Sequence, residues 1–276
     1  MKIIMIGHGM VGHKFIESVL EHVGDDVEIT ILAEEPRLAY DRVHLTEYFS
    51  GKSVKDLTLC RADFADAYGI DLRLNTKAVA IDQSHKTVTT NHGDVLGFDK
   101  LILATGSYAF VPPISGNDRE NCFVYRTIED LDAIRAASLN AKSGVVIGGG
   151  LLGLEAAKAL RDLNLETHVV EFAPRLMAVQ IDDLGGKVLR AKIENLGVKV
   201  HTQKATSSIE EGATTKHVMK FGDGSELETD IILFSAGIRP RDELARQSGL
   251  ALGERGGIMI NDYCQTSNPD IYAIGE

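Results

Sequence analysis

With 276 residues, 44% hydrophobic and 25% charged, the chain has the composition of a globular protein long enough for two domains with separate buried cores. A formal net charge of −11 leaves no basic footprint, which argues against nucleic acid or an anionic membrane surface as partner. No apolar run approaches the roughly 18 residues of a membrane span, and the N-terminus enters a strand with no basic-then-apolar leader, so a cytoplasmic protein is expected.

The predicted order opens with a strand, Ile3–Ile6, a helix over about Val11–His22 and a strand, Val27–Leu32, which make a right-handed βαβ unit. Gly7-His8-Gly9-Met10-Val11-Gly12 joins the first strand to the helix, and the second strand runs into Glu34-Glu35. A lone GxGxxG says little in a chain with 27 glycines. Set between strand and helix, with an acid closing the next strand, it is a physical device. The glycines let backbone approach a pyrophosphate, the helix start offers free N–H groups and a positive dipole end, and the acid accepts ribose hydroxyls.

A polar stretch from Glu34 to Ser53 carries Tyr40-Asp41-Arg42. Short alternating strands follow at Leu72–Leu74, Ala78–Ile81, Thr87–Thr89 and near Val95, with a hairpin turn at Asn91-His92-Gly93-Asp94. Lys100–Ala104 then reads as a buried parallel strand that stops at Thr105-Gly106.

Val111-Pro112-Pro113 is a linker, because two prolines forbid helix or central strand there. Beyond it the programme repeats. A helix about Ile128–Ala137 precedes the strand Gly144–Ile147, the turn Gly148-Gly149-Gly150-Leu151-Leu152-Gly153, a helix to Leu163 and the strand Thr167–Val170, closed by Glu171. A helix about Asp182–Leu196 comes next, then short strands with a turn at Gly222-Asp223-Gly224, and an apolar strand, Ile231–Phe234, ending at Ala236-Gly237. This is an internal duplication of domain size. Two such devices imply two dinucleotides, and a hydride passed between them.

Gly257–Ile260 and Asp270–Ile274 are extended, and the latter stops at Gly275-Glu276. Such a strand would return to the first sheet. The expected fold is α/β with two Rossmann-like dinucleotide-binding domains, each a parallel central sheet with a small antiparallel insert. The second domain, 111–240, is inserted within the first, 1–110 plus 241–276. A buried strand with no covering helix after it leads us to expect a longer natural polypeptide.

Cys60, Cys122 and Cys264 are isolated, which excludes a redox disulfide of neighbouring thiols and a cysteine cluster for zinc or iron–sulfur; no metal site is expected. The nine histidines show no HExxH spacing, and His8 and His13 read as partly buried turn and helix residues. Glu155 falls on an otherwise apolar helix face, where a carboxylate is costly without a partner, and is therefore a site candidate. Glu47, Glu210 and Glu211 read as solvated.

The layout resembles the two-dinucleotide-binding-domain flavoprotein reductases, which hold FAD at the first site and NAD(P)H at the second. Ala104-Thr105-Gly106, Ser235 to Pro240 and Asp270 to Glu276 resemble further motifs of that family. Glu34-Glu35-Pro36 with Tyr40-Asp41-Arg42 resembles the branch of ferredoxin and rubredoxin reductases and apoptosis-inducing-factor-like proteins. Narrower still, Ala39 to Leu45, Cys122 to Leu131 and Gly150 to Ala156 resemble the N-terminal flavoprotein part of the large subunit of NAD(P)H-dependent assimilatory nitrite reductase. In that family iron–sulfur and sirohaem modules follow in the remainder of the polypeptide.

The resemblance implies roles residue by residue. Gly7, Gly9, Met10 and Gly12 would hold the FAD pyrophosphate, with Glu34, or its neighbour Glu35, on the adenosine ribose. Arg42 and Arg126 would reach the phosphates or the isoalloxazine neighbourhood, and the Val79 backbone the adenine edge. Ala104, Thr105, Gly106, Gly275 and Glu276 would complete that site. Gly148, Gly150, Leu151, Leu152 and Gly153 would lie on the NADH pyrophosphate, with Glu171 on its ribose, Glu155 near the nicotinamide and Gly237 flooring the site. A carboxylate at Glu171 favours NADH over NADPH, softened by nearby Arg175. Close relatives have a lysine where this chain has Glu47, and the terminal acid is Glu276 where aspartate is commoner.

The implied activity is an oxidoreductase that passes electrons from NADH through FAD to an iron–sulfur acceptor for nitrite reduction, with a homodimer as the candidate assembly. No disulfide is available to receive them, and Tyr40 to Phe49 contains no cysteine for a flavin-linked peroxidase. The alternatives are an NADH-dependent ferredoxin or rubredoxin reductase, a flavin- and nucleotide-sensing module, and a fragment that no longer holds FAD.

Overall fold

The computed structural model describes residues 1–23 and 26–276. Its backbone forms two compact units: Met1–Arg42, Val54–Tyr108 and Arg239–Glu276 make the first, and Val43–Ser53 with Ala109–Ile238 make the second.

The first unit is built on a five-stranded parallel sheet. Its spatial order is Ile271–Ala273, Lys100–Leu103, Lys2–Ile6, Glu28–Leu32, Asp71–Arg73. The central strand shows why its sequence is apolar at every position. Ile3 and Met5 pack with Ile16 of the helix Met10–Val23, while Ile4 and Ile6 pack with Ala78, Ile81 and Val88 of an antiparallel insert. A strand covered on both faces has no polar side to show. The insert consists of Ala78–Asp82, Thr87–Thr90 and Val95–Gly97, turned at residues 91–94 as expected. Asp71–Arg73 differs from the sequence-based expectation: it is a parallel edge strand of the main sheet and not part of the insert.

The second unit repeats this plan. Its parallel sheet runs Val198–His201, Glu166–Val170, Ser143–Ile147, Ile231–Phe234, Cys122–Val124. Val146 and Val169 face the helical side with Leu160, and Val145, Ile147 and Val170 face Ile209, Met219 and Phe221 of a second antiparallel insert. That insert is Thr206–Glu211, His217–Phe221 and Glu226–Thr229. The helix Ile128–Ser138 opens on a capping box, Thr127 with Asp130. The helix Asp183–Asn195 opens on Asp182, whose side chain accepts the Gly185 N–H at 2.8 Å.

Val43–Ser53, expected with the first domain, packs with the second unit instead. Tyr48 hydroxyl donates to Asp132, Ser50 donates to Asp162 at 3.1 Å, and the Arg135 guanidinium lies 4.1 Å over the Tyr48 ring. No helix among the described residues is long and apolar enough to cross a membrane.

Candidate functional site: two dinucleotide cradles

In each unit the first parallel strand ends in a glycine turn whose geometry the other unit copies. Gly7 N–H donates to Leu32 O at 2.9 Å, and Gly148 N–H to Val170 O at 2.8 Å. Gly9 O accepts the first helical bond from His13 N at 2.9 Å, and Gly150 O from Leu154 N at 3.0 Å. The N–H groups of Met10, Val11 and Gly12, and of Leu151, Leu152 and Gly153, therefore precede the first intrahelical bond and are free for an anion.

The three glycines of each turn are needed for different reasons. A Cβ on Gly7 (φ +103°) would stand 2.2 Å from Ala104 O, and one on Gly148 (φ +123°) 2.2 Å from Ser235 O. A Cβ on Gly12 would stand 2.6 Å from Gly7 O, and one on Gly153 2.0 Å from Gly148 O. These four are demanded by the protein's own packing. The middle glycines, Gly9 and Gly150, would meet nothing within 4 Å. Packing does not demand glycine there, and bareness at that point suits an approaching diphosphate. The residues fit a dinucleotide at both turns.

Around the first turn the structure brings together most of the residues predicted for FAD. Gly106 (φ +68°) lies so that a Cβ would be 3.6 Å from Glu276 O, and a Cβ on Gly275 (φ +86°) would touch the Val11 side chain at 3.4 Å. Met10 Sδ accepts the Arg42 N–H at 3.4 Å. Thr105 Oγ1 donates to Arg241 O at 2.8 Å. The register of Ala78–Asp82 shifts between Ala78 and Ala80, which leaves Val79 as the extra, exposed residue of a bulge with its backbone outside the ladder. Arg126 belongs to the second unit, where its N–H bonds Asp130 at 3.0 Å ahead of the helix Ile128–Ser138.

The two acids after the second strand of the first unit are engaged differently. Glu35 accepts from the Tyr40 hydroxyl at 2.8 Å and pairs with Arg42, whose guanidinium lies 4.7 Å over the Tyr40 ring. Glu34 pairs with Lys77 at 3.1 Å and with Arg241 at 2.5 Å. Burial raises the Glu34 carboxyl, but Lys77 and Arg241 outweigh it and hold the group below its ordinary value.

Around the second turn an open cavity of about 470 Å³ is lined by Gly148, Gly149, Gly150, Glu171, Phe172, Ser235 and Ala236. Glu171 holds the turn itself: its carboxylate accepts the Gly149 N–H at 2.5 Å and the Ala173 N–H at 2.6 Å. Gly237 (φ +110°) accepts the Phe110 N–H at 2.9 Å and would meet nothing with a Cβ. Glu155 is partly buried on the helix Leu151–Asp162, and burial raises its carboxyl despite the nearby His44. Arg175 is drawn away from a softening role: it pairs with Asp183 at 2.7 Å and donates to Ile181 O and Ala178 O. A second groove, of about 560 Å³, at Arg119, Cys122, Phe123 and Asn140 contains none of the predicted site residues.

The duplicated hydrogen bonds set the two acids one residue out of step. Leu32 matches Val170, so Ala33 occupies the position of Glu171, and Glu34 that of the exposed Phe172. His8 correspondingly matches Gly149. A side chain at Gly149 would crowd Leu176 Cδ2 at 2.7 Å and Glu171 Oε2 at 3.0 Å. With alanine at position 33, the first turn accommodates an imidazole. His8 and His13 are buried more fully than the sequence suggests, pack edge to face at 5.7 Å, and among the described residues their ring nitrogens have no hydrogen-bond partner. Burial, followed by His13, drives His8 down to about 4.

Two cradles of this kind, each on its own doubly covered parallel sheet, define the fold of a two-dinucleotide-binding-domain protein. The chain belongs to the pyridine nucleotide-disulphide oxidoreductase family, whose model matches residues 1–276. It is an NAD(P)H-dependent flavoprotein oxidoreductase, with FAD and NAD(H) as the cofactors of the class. It is 54% identical over 277 residues to the NADH nitrite reductase large subunit of Escherichia coli (strain K12), covering 100% of this chain and 33% of that one. It is 55% identical over 278 residues to the NAD(P)H nitrite reductase large subunit of Klebsiella oxytoca, covering 99% and 29%. Among solved structures it is similar to the NAD-dependent persulfide reductase of A. fulgidus, with a TM-score of 0.94, 30% identity and coverage of 100% and 53%. The chain thus spans about a third of the length of the curated relatives it matches.

Proposed function

We propose that this chain is the electron-input module of an NADH-dependent nitrite reductase. The first cradle takes FAD, the second takes NADH, and the electrons leave singly for an iron–sulfur acceptor and sirohaem. The observation that carries the proposal is the pair of middle glycines, Gly9 and Gly150, open toward solvent while their neighbours are closed by packing. FAD, when bound, supplies the conversion from a two-electron donor to one-electron acceptors. The protein's task is to bind and orient: N–H groups of Met10 to Gly12 and Leu151 to Gly153 meet the diphosphates, and Glu34 and Glu171 offer carboxylates to riboses.

Thiol chemistry is not the outlet we propose. Burial pushes the Cys122 thiol up to about 11 and raises Cys60, so neither is poised as a thiolate. The three cysteines also lie far apart in sequence. The steady-state rate of NADH oxidation with an artificial one-electron acceptor tests the proposal. Turnover requiring FAD supports it, while sluggish turnover with tight nucleotide binding favours a sensing module.

A further inference from the structure

Glu34 and Arg241 are 207 residues apart in sequence and joined at 2.5 Å. Their route to one another bears on the first cradle. The Arg241 backbone is fixed beside the strand Lys100–Leu103: its N–H donates to Gly106 O at 2.9 Å, and its carbonyl accepts from Thr105 Oγ1 at 2.8 Å. Glu34 stands beyond the strand Glu28–Leu32. The strand between those two is Lys2–Ile6, which ends in the glycine turn. Neighbouring strands are about 4.8 Å apart, so the Arg241 and Glu34 side chains together bridge roughly 10 Å of sheet edge, past the end of the strand that leads into the glycine turn.

A guanidinium has five N–H donors in a rigid fork. Here Nη1 is on Glu34, and among the described residues Nε and Nη2 have no acceptor. The glycine turn itself brings no cation, and the first turn of the helix Met10–Val23 contains no charged side chain before His13 and Lys14. The other cation at Glu34, Lys77, comes from the opposite side, next to the insert strand Ala78–Asp82.

We propose that Arg241 is a FAD-binding residue: it keeps one N–H on Glu34 and presents its remaining donors to the FAD diphosphate. This rests on the assignment of FAD to the first cradle. Glu34 has acceptor sites to spare, since a carboxylate offers about four and two are taken by Lys77 and Arg241. Ribose and guanidinium can then share it, and the diphosphate gains a fork-shaped partner that backbone N–H groups do not supply.

The test uses apoprotein of the full chain, titrated with FAD by flavin fluorescence, with ADP and adenosine as competitors. Arg241→Ala is expected to weaken FAD and ADP at least tenfold and leave adenosine within about twofold, and Arg241→Lys to recover part of the loss. The same loss is expected in a Glu34→Ala background. Equal FAD and ADP affinity in parent and Arg241→Ala would overturn the proposal while leaving the FAD assignment intact. A loss that vanishes in the Glu34→Ala background would also overturn it, since Arg241 would then act only by holding Glu34. A parent chain that binds no FAD would instead defeat the assignment of the cradle. Thermal unfolding of each variant separates lost binding from lost fold, and Arg241→Lys carries the test if Arg241→Ala does not fold.

Discussion

Single side chains decide how each cradle reads its nucleotide. Among the described residues Glu34 pairs only with the cations Lys77 and Arg241, whereas Glu35 is committed to Tyr40 and Arg42. Hydrogen bonds to charged groups contribute about 1.5–3 kcal/mol, so Glu34→Ala should cost FAD affinity at least roughly tenfold. Glu35→Ala should loosen the Tyr40–Arg42 contact and affect FAD less; titration of the two apoproteins distinguishes them, and the reverse order would reassign the ribose acceptor. Glu171 holds Gly149 and Ala173 as well as facing the second cavity. The parent should reduce flavin faster with NADH than with NADPH, because a carboxylate repels a 2′-phosphate. Glu171→Ala should lower the NADH rate too, since the turn loses its clasp; a clear NADPH advantage in the parent would contradict the role given to Glu171.

His8 gives a residue-scale prediction in pH. Its folded value is lowered to about 4 from an ordinary 6.5. Above 6.5 it is neutral in both states and has no effect on the pH dependence. Between 6.5 and 4 the unfolded chain binds a proton that the folded chain refuses, so stability falls as the pH falls through that window. The loss from His8 alone is on the order of 3 kcal/mol. Urea unfolding at pH 7 and pH 4.5 should show a smaller difference for His8→Asn than for the parent; an equal difference would mean that His8 is charged in the fold.

At the scale of elements, the glycine turns separate folding from binding. Gly7→Ala and Gly148→Ala place a Cβ 2.2 Å from a carbonyl oxygen at positive φ, and backbone strain of that kind alone costs about 1–3 kcal/mol. Gly9→Ala and Gly150→Ala meet nothing. The first pair should lower the melting temperature, while the second should leave it near the parent's and weaken FAD and NADH respectively. Uniform destabilisation by all four would remove the evidence for an open face. These turns were legible from sequence because strand, turn and helix are contiguous there. The strand Cys122–Val124 and the packing of Val43–Ser53 were not, since each is fixed by partners distant in the chain, such as Ile232–Phe234 and Asp132. The one-residue offset between Glu34 and Glu171 was hidden for a related reason. It is set by cross-strand register, and a run of acids after a strand does not reveal its own register. Arg241 left no local signal at all, because its importance lies in where Thr105 and Gly106 hold it.

At the scale of the molecule, the duplication explains why one chain handles two nucleotides: each unit folds a helix onto one sheet face and an antiparallel insert onto the other. Among the described residues no group of three or more His, Cys, Asp or Glu is placed to hold a metal ion. With nitrite chemistry assigned to iron–sulfur and sirohaem modules, the chain by itself should yield no ammonia from nitrite and NADH. Ammonia formation by purified chain would contradict that division of labour. The most direct measurement of the whole account is an anaerobic titration of the apoprotein with FAD, followed by addition of NADH and observation of the flavin absorbance. One FAD per chain and bleaching by NADH are expected, with Gly9→Ala impaired in the first step and Gly150→Ala in the second. A chain that takes up no FAD, or whose bound FAD stays oxidised in excess NADH, would contradict it.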